Sequence, residues 1–555
     1  MSTTGIYGLS GSGIDVDSMV KVGMMTKQNQ YDKMYKEEIK NEWMKSAYAD
    51  LYSEVNTFNQ STLSNYKMSS TTSPMTATST SEGVATATAN ADAANMSHTV
   101  TVSSVASNAY MQSTKAITRK NSSASSTSIY LKDLLSSTEQ EPSNYSTMSD
   151  SQKLETALSF TISDGASDNS NATTKEISFT YKDLFESNQT LNDLATKIKN
   201  SGVNIQASYD SVNDSFSLYQ KTGGKANQIN ITVGSGSTDS EKRARTLLSS
   251  LNLGIVTTAD DGTQTLGSAI DYETTTSSSA EGKDGKATID GKTYTTTGSK
   301  ITVANVAYTL AGKGTTTVSV AQDTDKVVEN VKQFVTDYNK MIDALNTKYY
   351  ETQYSDYGVL TKSQESSMTQ DQITKWNEKA KSGLLYHDSQ LGKIISSMRE
   401  ALYTPVESAS GNYTTMMSLG ITSSTDQGHI TLDETKLKKA LAADPNCVRE
   451  VFSNSGDVTN ADGTTSTDYD QEGVMNRISD ALYTNLKTLK SYAGDSSETA
   501  DGSTLGNFIE NLKTKMSDFK TQMDAYQRAL YDKYDAMESA IQQLSVQLGY
   551  ITGGN

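Results

Sequence analysis

The sequence predicts an α+β protein of several domains, in which long N- and C-terminal helices pair as a coiled coil and a helical leg domain carries an inserted β-rich head. Three observations indicate this class. A heptad pattern occupies the C-terminal end, a second long amphipathic stretch occupies the N-terminal end, and short alternating segments lie between them. A length of 555 residues is consistent with several domains.

The strongest pattern lies in residues 503–551. Apolar residues recur there at alternating spacings of four and three up to Leu530, as in a helix that packs along another helix. One additional spacing of four follows between Leu530 and Tyr534, a stutter that locally unwinds a supercoil. A helix of this extent is roughly 70 Å long, so it requires a partner of comparable length.

The N-terminal end supplies that partner. Asp15 is a favourable N-cap residue and Asp17 adds negative charge to the first turn, so we expect a helix that runs to about residue 67. Spacings of four dominate its apolar positions, which makes its stripe broader than the C-terminal one. We predict that the seam of the coiled coil and of an oligomer is formed by Tyr35, Ile39, Trp43, Leu51, Val55, Phe58, Leu512, Met516, Phe519, Met523, Tyr526, Leu530, Met537, Ile541, Leu544 and Leu548.

The middle of the chain is rich in Ser and Thr and alternates like β-strands. We predict a connector around Pro74, one helix at 191–200 among the strands, and a polar loop at 457–470. The resulting domains are a terminal coiled-coil region (1–70 with 503–555), a mainly helical leg domain (71–114 with 321–502) and an inserted β-rich head of one or two subdomains (115–320).

Composition and charge argue against several classes of function. A net charge of −17 leaves no basic face for nucleic acid, and no apolar run is long enough for a membrane span. Cys447 is the only cysteine, and the three histidines (His98, His387 and His429) are isolated, so no metal-ligand spacing occurs. We therefore predict no catalytic residue, no cofactor and no metal, and a protein that is not an enzyme.

Residues 1–13 lack the basic and apolar regions of a signal peptide. The expectation is either a cytosolic protein or one that is exported without a cleaved signal. The scarcity of proline and cysteine fits a chain that must stay unfolded and without cross-links during export, although a cytosolic enzyme can show the same scarcity.

The opening GLSGSGIDVDSMV at residues 8–20 closely resembles that of the flagellar filament-capping family (FliD, hook-associated protein 2). Gly23 departs from the family, which often has Leu there. Residues 190–219 are similar to an insert shared with flagellins. Further segments that look like the family are 287–291, 318–325, 376–385 and 541–552.

The resemblance implies an extracellular cap at the tip of the bacterial flagellum that promotes flagellin folding and polymerisation and prevents flagellin loss. It also implies a role in motility and export without a cleaved signal peptide. The implied assembly is a ring of about five subunits. The implied partners are other copies of the chain, flagellin, hook–filament junction proteins and an export chaperone, with host mucin or glycans as a further candidate.

Two alternatives are compatible with the same patterns. One is another axial flagellar protein, either a flagellin or a hook–filament junction protein, because these proteins also pair their terminal helices. The other is a surface adhesin that acts in cell adhesion through the β-rich head. The opening at residues 8–20 favours the cap.

Overall fold

The computed structural model describes residues 15–121, 129–166, 170–424 and 427–552. The chain divides into two compact units. Unit 1 combines Met1–Pro74 with Thr324–Asn555, and unit 2 is Met75–Asp323. Unit 2 is therefore an insertion into unit 1.

The helices of the described residues are given in chain order. They are α1 Val16–Thr57, α2 Ser69–Thr72, α3 Asp150–Lys153, α4 Tyr181–Phe185, α5 Leu191–Asn200, α6 Asp239–Ser250, α7 Thr324–Tyr349, α8 Lys362–Ser366, α9 Gln370–Lys381, α10 Ser389–Tyr403, α11 Glu434–Ala443, α12 Cys447–Ser453, α13 Val474–Ala493 and α14 Thr504–Thr552. A π-helical turn, Phe58–Leu63, continues α1.

The strands follow the same convention. They are β1 Met75–Ser79, β2 Ala85–Ala89, β3 Ser97–Ser104, β4 Tyr110–Ser113, β5 Thr156–Ser163, β6 Thr174–Thr180, β7 Ile205–Asp210, β8 Ser215–Gln220, β9 Gln228–Thr232, β10 Leu253–Thr258, β11 Gln264–Leu266, β12 Ser277–Glu281, β13 Gly285–Ile289, β14 Lys292–Thr296, β15 Lys300–Val303, β16 Val306–Leu310, β17 Gly314–Gln322, β18 Ile421–Ser423, β19 Ile430–Leu432, β20 Ser455–Thr459 and β21 Thr465–Glu472.

Helix α1 begins where the sequence predicts it. The Asp15 side chain accepts a hydrogen bond from the backbone N–H of Ser18 at 3.0 Å, which satisfies one of the N–H groups that a helix start leaves unpaired. Most of the family-like opening lies outside the described residues, since these begin at Asp15.

The described residues of unit 1 form one helical core, to which α7, α10, α11, α12, α13, the C-terminal part of α1 and the start of α14 contribute. The apolar stripe of each helix faces it, as the spacings of four and three require. Core side chains include Tyr48, Leu51, Val55, Phe334, Tyr338, Leu345, Leu391, Ile394, Met398, Ile478, Leu482 and Leu486.

A fully buried arginine, Arg477, ties the hairpin β20–β21 to this core. Its guanidinium donates hydrogen bonds of 2.7–2.8 Å to the carbonyl oxygens of Thr404 and Pro405, after α10, and of Tyr469 and Asp470, in β21. Buried polar groups need such partners, so the base of the hairpin is fixed.

The described residues of unit 2 form two hydrophobic cores. The first lies between a five-stranded sheet of order β1-β17-β3-β13-β14 and a three-stranded sheet of order β15-β16-β2. The second combines the sheets β11-β10-β4-β8-β7 and β12-β9-β5-β6 with α4, α5 and α6. The first and last strands of unit 2, β1 and β17, pair antiparallel, with Met75 opposite Gln322.

The boundary of the insertion differs from the expected one. Residues 75–114 were expected with the helical leg domain, but they form β1–β4 of unit 2 because β1 pairs with β17 and β3 pairs with β13 and β17. The terminal helices were expected to form a region separate from the helical leg domain. They belong to the same unit as residues 324–502, because Leu505 and Ile509 share the core of α7, α10 and α13.

Two local predictions are wrong. Residues 457–470, expected as a polar loop, form most of the hairpin β20–β21. One helix, at 191–200, was expected among the strands, but the described residues of unit 2 also form α3, α4 and α6. At the start of α6, Thr238 and Glu241 form a capping box, and that spacing of three is visible in the sequence.

Candidate functional site in the paired terminal helices

Helices α1 and α14 pair antiparallel. At one end the hydroxyl of Tyr531 donates a hydrogen bond of 3.0 Å to Asp17. Farther along, the Lys513 ammonium lies 2.9 Å from the Glu42 carboxylate. The described pair therefore extends from the start of α1 to the start of α14.

Up to the stutter, the heptad stripe of α14 lies against α1. Leu512, Met516, Met523 and Leu530 are buried, and Phe519 is partly buried. Tyr526 lies at the margin and is 41% exposed. This part of the stripe is thus covered within a single chain.

Lysine and glycine complete the contact between the two helices. The Lys27 ammonium lies 5.4 Å from the ring centre of Phe519 and 5.6 Å from that of Tyr526, a cation–π geometry. At Gly23, an added Cβ would be 2.8 Å from a methyl group of Leu530. The Leu530 side chain therefore packs directly against the backbone of α1 at Gly23.

Beyond the stutter the stripe of α14 becomes exposed. Met537 and Ile541 are partly buried, whereas Leu544, Leu548 and Ile551 are 62%, 61% and 79% exposed. We name Leu544, Leu548 and Ile551 the distal stripe. The described part of α1 begins opposite Tyr531, so it does not reach the distal stripe.

The predicted seam residues of α1 divide into two groups. Leu51, Val55 and Phe58 are buried in the helical core of unit 1. Tyr35, Ile39 and Trp43 are partly buried. The predicted stripe therefore combines residues of the helical core with residues that are only partly buried. The spacing of apolar residues does not distinguish the two groups.

A segment that contains α8 and α9 covers two of those aromatic residues. The Lys362 ammonium lies 5.2 Å from the ring centre of Tyr35, and that of Lys381 lies 5.1 Å from the ring centre of Trp43. Trp376 of α9 donates a hydrogen bond of 2.7 Å to the carbonyl oxygen of Gly358, which closes the segment on itself. We name residues 358–381 the strap.

The apolar pattern does not predict one residue of the helix pair, Lys45. Its side chain is fully buried at the start of α14, where it forms an ion pair with Asp501. Lys45 precedes Tyr48 by three positions and so lies on the buried face of α1. A lysine on that face is the signal that could have identified it.

The single cysteine is buried, and two of the three histidines contact carboxylates. Burial raises the pKa of the Cys447 thiol to about 12, so its thiolate is scarce at neutral pH. His98 contacts Asp290 at 2.6 Å, and His429 contacts Asp343 at 2.6 Å. Throughout the described ranges, no three His, Cys, Asp or Glu side chains are grouped so that they could hold a metal ion.

None of the helices in the described parts of the chain combines the length and the apolar character that a bilayer crossing requires.

Two family models match this chain, one in its N-terminal part and one in its C-terminal half. The family model described as flagellar hook-associated protein 2 N-terminus matches residues 12–109. The model described as flagellar hook-associated protein 2 C-terminus matches residues 282–546. Together the two models match more than half of the chain.

Individual relatives match in part. Flagellar hook-associated protein 2 of Halalkalibacterium halodurans is 30% identical over 261 residues, which are 45% of this chain and 49% of that protein. The Thermotoga maritima protein of the same name is 27% identical over 250 residues, which are 43% of this chain and 35% of that protein. The match thus spans about half or less of these relatives.

Solved structures of flagellar cap proteins are also similar. The D1-D2-D3 domains of FliD from Escherichia coli give a TM-score of 0.45 at 18% identity, covering 80% of this chain and 95% of that chain.

The fold and the site define an α+β protein whose ends pair as helices and which carries an inserted antiparallel β unit. Both family models match regions of this arrangement, one at α1 and the first strands and the other from β13 into α14. The chain belongs to the flagellar hook-associated protein 2 family.

Proposed function

We propose that this protein caps the flagellar filament, where it promotes the folding and polymerisation of flagellin and prevents flagellin loss. Membership of the hook-associated protein 2 family supports this role. The observation that carries the proposal is the exposed distal stripe, which lies at the end of a helix pair that the two family models match over α1 and over α14 as far as residue 546.

The distal stripe supports self-association. Burial of three large apolar side chains on one helix face against another surface is favourable, because it removes apolar area from water. Copies of the same chain in a ring of about five subunits would provide such surfaces. In this proposal flagellin folds beneath the ring, and the ring acts by shielding and positioning rather than by catalysis.

Other partners enter the proposal through the family resemblance. They are hook–filament junction proteins, an export chaperone and host mucin or glycans. The proposed location is the outer tip of the flagellum, which the chain reaches by export without a cleaved signal peptide.

The test is complementation of a strain that lacks its own copy of this gene. The variant carries Leu544→Ser, Leu548→Ser and Ile551→Ser, and its matched control carries Gln542→Ser, Gln543→Ser and Gln547→Ser on exposed polar positions of the same helix. We expect the wild type and the control to restore filaments. The distal-stripe variant should instead release several-fold more monomeric flagellin into the medium.

Two measurements complete this test. Immunoblots of the medium show that each variant is exported, and negative-stain images of the purified protein show its assemblies. Rings or plates support a cap, whereas long filaments of this protein alone would indicate a flagellin. Normal filaments with the distal-stripe variant would contradict the proposed role of that surface.

A further inference from the structure

The helix pair crosses a boundary at Lys45. On one side, Tyr48 and Leu51 of α1 and Leu505 and Ile509 of α14 belong to the core of unit 1. On the other side, the buried residues of α14 from Leu512 onward lie outside that core. We name the part outside it, residues 16–42 of α1 with 512–552 of α14, the terminal arm.

Lys45 uses all three of its donors at this boundary. Its ammonium donates hydrogen bonds to the carbonyl oxygen of Ala493 at 2.6 Å, to the carboxylate of Asp501 at 2.5 Å and to the hydroxyl of Ser503 at 3.2 Å. The side chain is 0% exposed. An ammonium group has three N–H donors, so this one is fully satisfied.

The same contacts build the start of α14. Asp501 accepts hydrogen bonds from the backbone N–H of Ser503 at 3.0 Å and from its hydroxyl at 2.7 Å. The Ser503 hydroxyl in turn accepts the N–H of Gly506 at 3.0 Å. The first turn of α14 and the preceding loop are therefore organised around one buried charge from α1.

Backbone geometry fixes the other end of this loop. Gly494 ends α13 with φ of +80°, a conformation that residues with a side chain rarely adopt. A Cβ at this position would be 1.9 Å from the Asp501 carboxylate and 2.7 Å from the Lys45 ammonium. The close approach of loop and lysine therefore depends on glycine.

The two sides of the boundary resist separation differently. Moving the loop away would leave a buried ammonium without partners, which is strongly destabilising. The terminal arm, in contrast, is a two-helix contact with a narrow buried stripe, to which the strap adds its contact with Tyr35, and its distal stripe is exposed. Segments with few buried apolar contacts open locally at a smaller free-energy cost than a core does.

We propose that Lys45 is the fixed end of a hinge: the helices of the terminal arm separate from their far ends and stay joined at Lys45, while the core of unit 1 remains folded. With this hinge, the part of α14 in the terminal arm can exchange its contact with α1 for a contact with another surface, while its first turns remain attached to unit 1. Lys45 acts as a positioning residue for the start of α14.

Hydrogen exchange of the full-length protein, measured by mass spectrometry, tests the hinge. In the wild type we expect amides of the terminal arm to exchange about tenfold or more faster than those of residues 504–509 and of α13. In Lys45→Met, residues 495–511 should join the fast class, while α7 keeps its protection. The matched control, Lys40→Met, alters an exposed lysine of the same helix and should leave the pattern unchanged.

Three results would overturn the hinge. These are equal protection on both sides of residue 511 in the wild type, an unchanged pattern in Lys45→Met, and faster exchange throughout the core of unit 1. If Lys45→Met does not fold, Asp501→Asn decides, because it removes only the charge that faces the ammonium. That variant must also accelerate exchange in 495–511 and spare α7, and otherwise the proposal fails.

Discussion

At the scale of single residues, unit 1 places two buried cations where chain segments meet. Lys45 joins α1 to the loop before α14, and Arg477 joins the hairpin β20–β21 to the end of α10. Both side chains are 0% exposed, and both donate several hydrogen bonds through their charged ends. Such residues fix the positions of segments that apolar contacts alone would leave adjustable.

The pair of Lys45 and Asp501 should make the stability of unit 1 depend on pH. Burial opposes ionisation of Asp501, but hydrogen bonds from Lys45 and Ser503 outweigh it and lower its pKa below the ordinary value of 3.8. The folded chain then binds this proton less tightly than the unfolded chain. Its contribution is therefore complete above pH 3.8 and is lost as the pH falls below that value.

Urea unfolding at several pH values measures this contribution. Tryptophan fluorescence reports on unit 1, because Trp43 and Trp376 both lie there. Asp501→Asn should lower the free energy of unfolding by about 1–3 kcal/mol at pH 7, and the difference from wild type should shrink below pH 3.8. Asp518→Asn, at an exposed position of α14, is the control. If the difference in free energy of unfolding between wild type and Asp501→Asn stayed constant with pH, ionised Asp501 would not be the source of the stabilisation.

At the scale of elements, the helices with regular stripes could be predicted from the sequence. Burial of α7, α10, α13 and α14 follows local periodicity, so spacings of four and three locate their faces. Strand β1 could not be recognised in this way, because it lies within a Ser/Thr-rich stretch and is held by β17, which is remote in the sequence.

The candidate site shows the same limit. The sequence located the stripe of α14, but Tyr35 and Trp43 contact lysines of the strap, which is more than 300 residues away in the chain. Lys45 depends on the loop that ends at Ser503. Long-range packing decides which of several neighbours a helix face meets, and a local pattern does not contain that information.

The strap is expected to hold α1 through its cations. In a double-mutant cycle, Trp43→Leu and Lys381→Gln should show a coupling energy of about 0.5–1 kcal/mol, as partly exposed cation–π pairs do. Urea unfolding followed by far-ultraviolet circular dichroism provides the four stabilities. Lys375→Gln, whose ammonium pairs with Asp371 on the same helix, should show no coupling with Trp43→Leu. Additive effects at Lys381 would exclude the contact.

At the scale of the whole molecule, the two units have separate cores. Unit 2 begins with β1 and ends with β17, and Met75 pairs directly with Gln322. Paired Cα atoms of antiparallel strands are about 5 Å apart. The chain therefore begins and ends unit 2 at neighbouring positions.

Removal of unit 2 should therefore leave unit 1 folded. We expect a chain in which a short Gly/Ser linker replaces Met75–Asp323 to keep the wild-type urea midpoint of tryptophan fluorescence. Residues 75–323 alone should show β-type circular dichroism and cooperative unfolding. Loss of helical content in the shortened chain would show that unit 1 needs the insertion.

The buried Cys447 has a practical consequence for following this protein. The chain contains one sulfhydryl, and the native fold both hides it and suppresses its ionisation. A maleimide dye added to the protein would consequently label chains that are still unfolded and spare those that have folded. The label on Cys447 thus reports whether each molecule had folded before the dye was added.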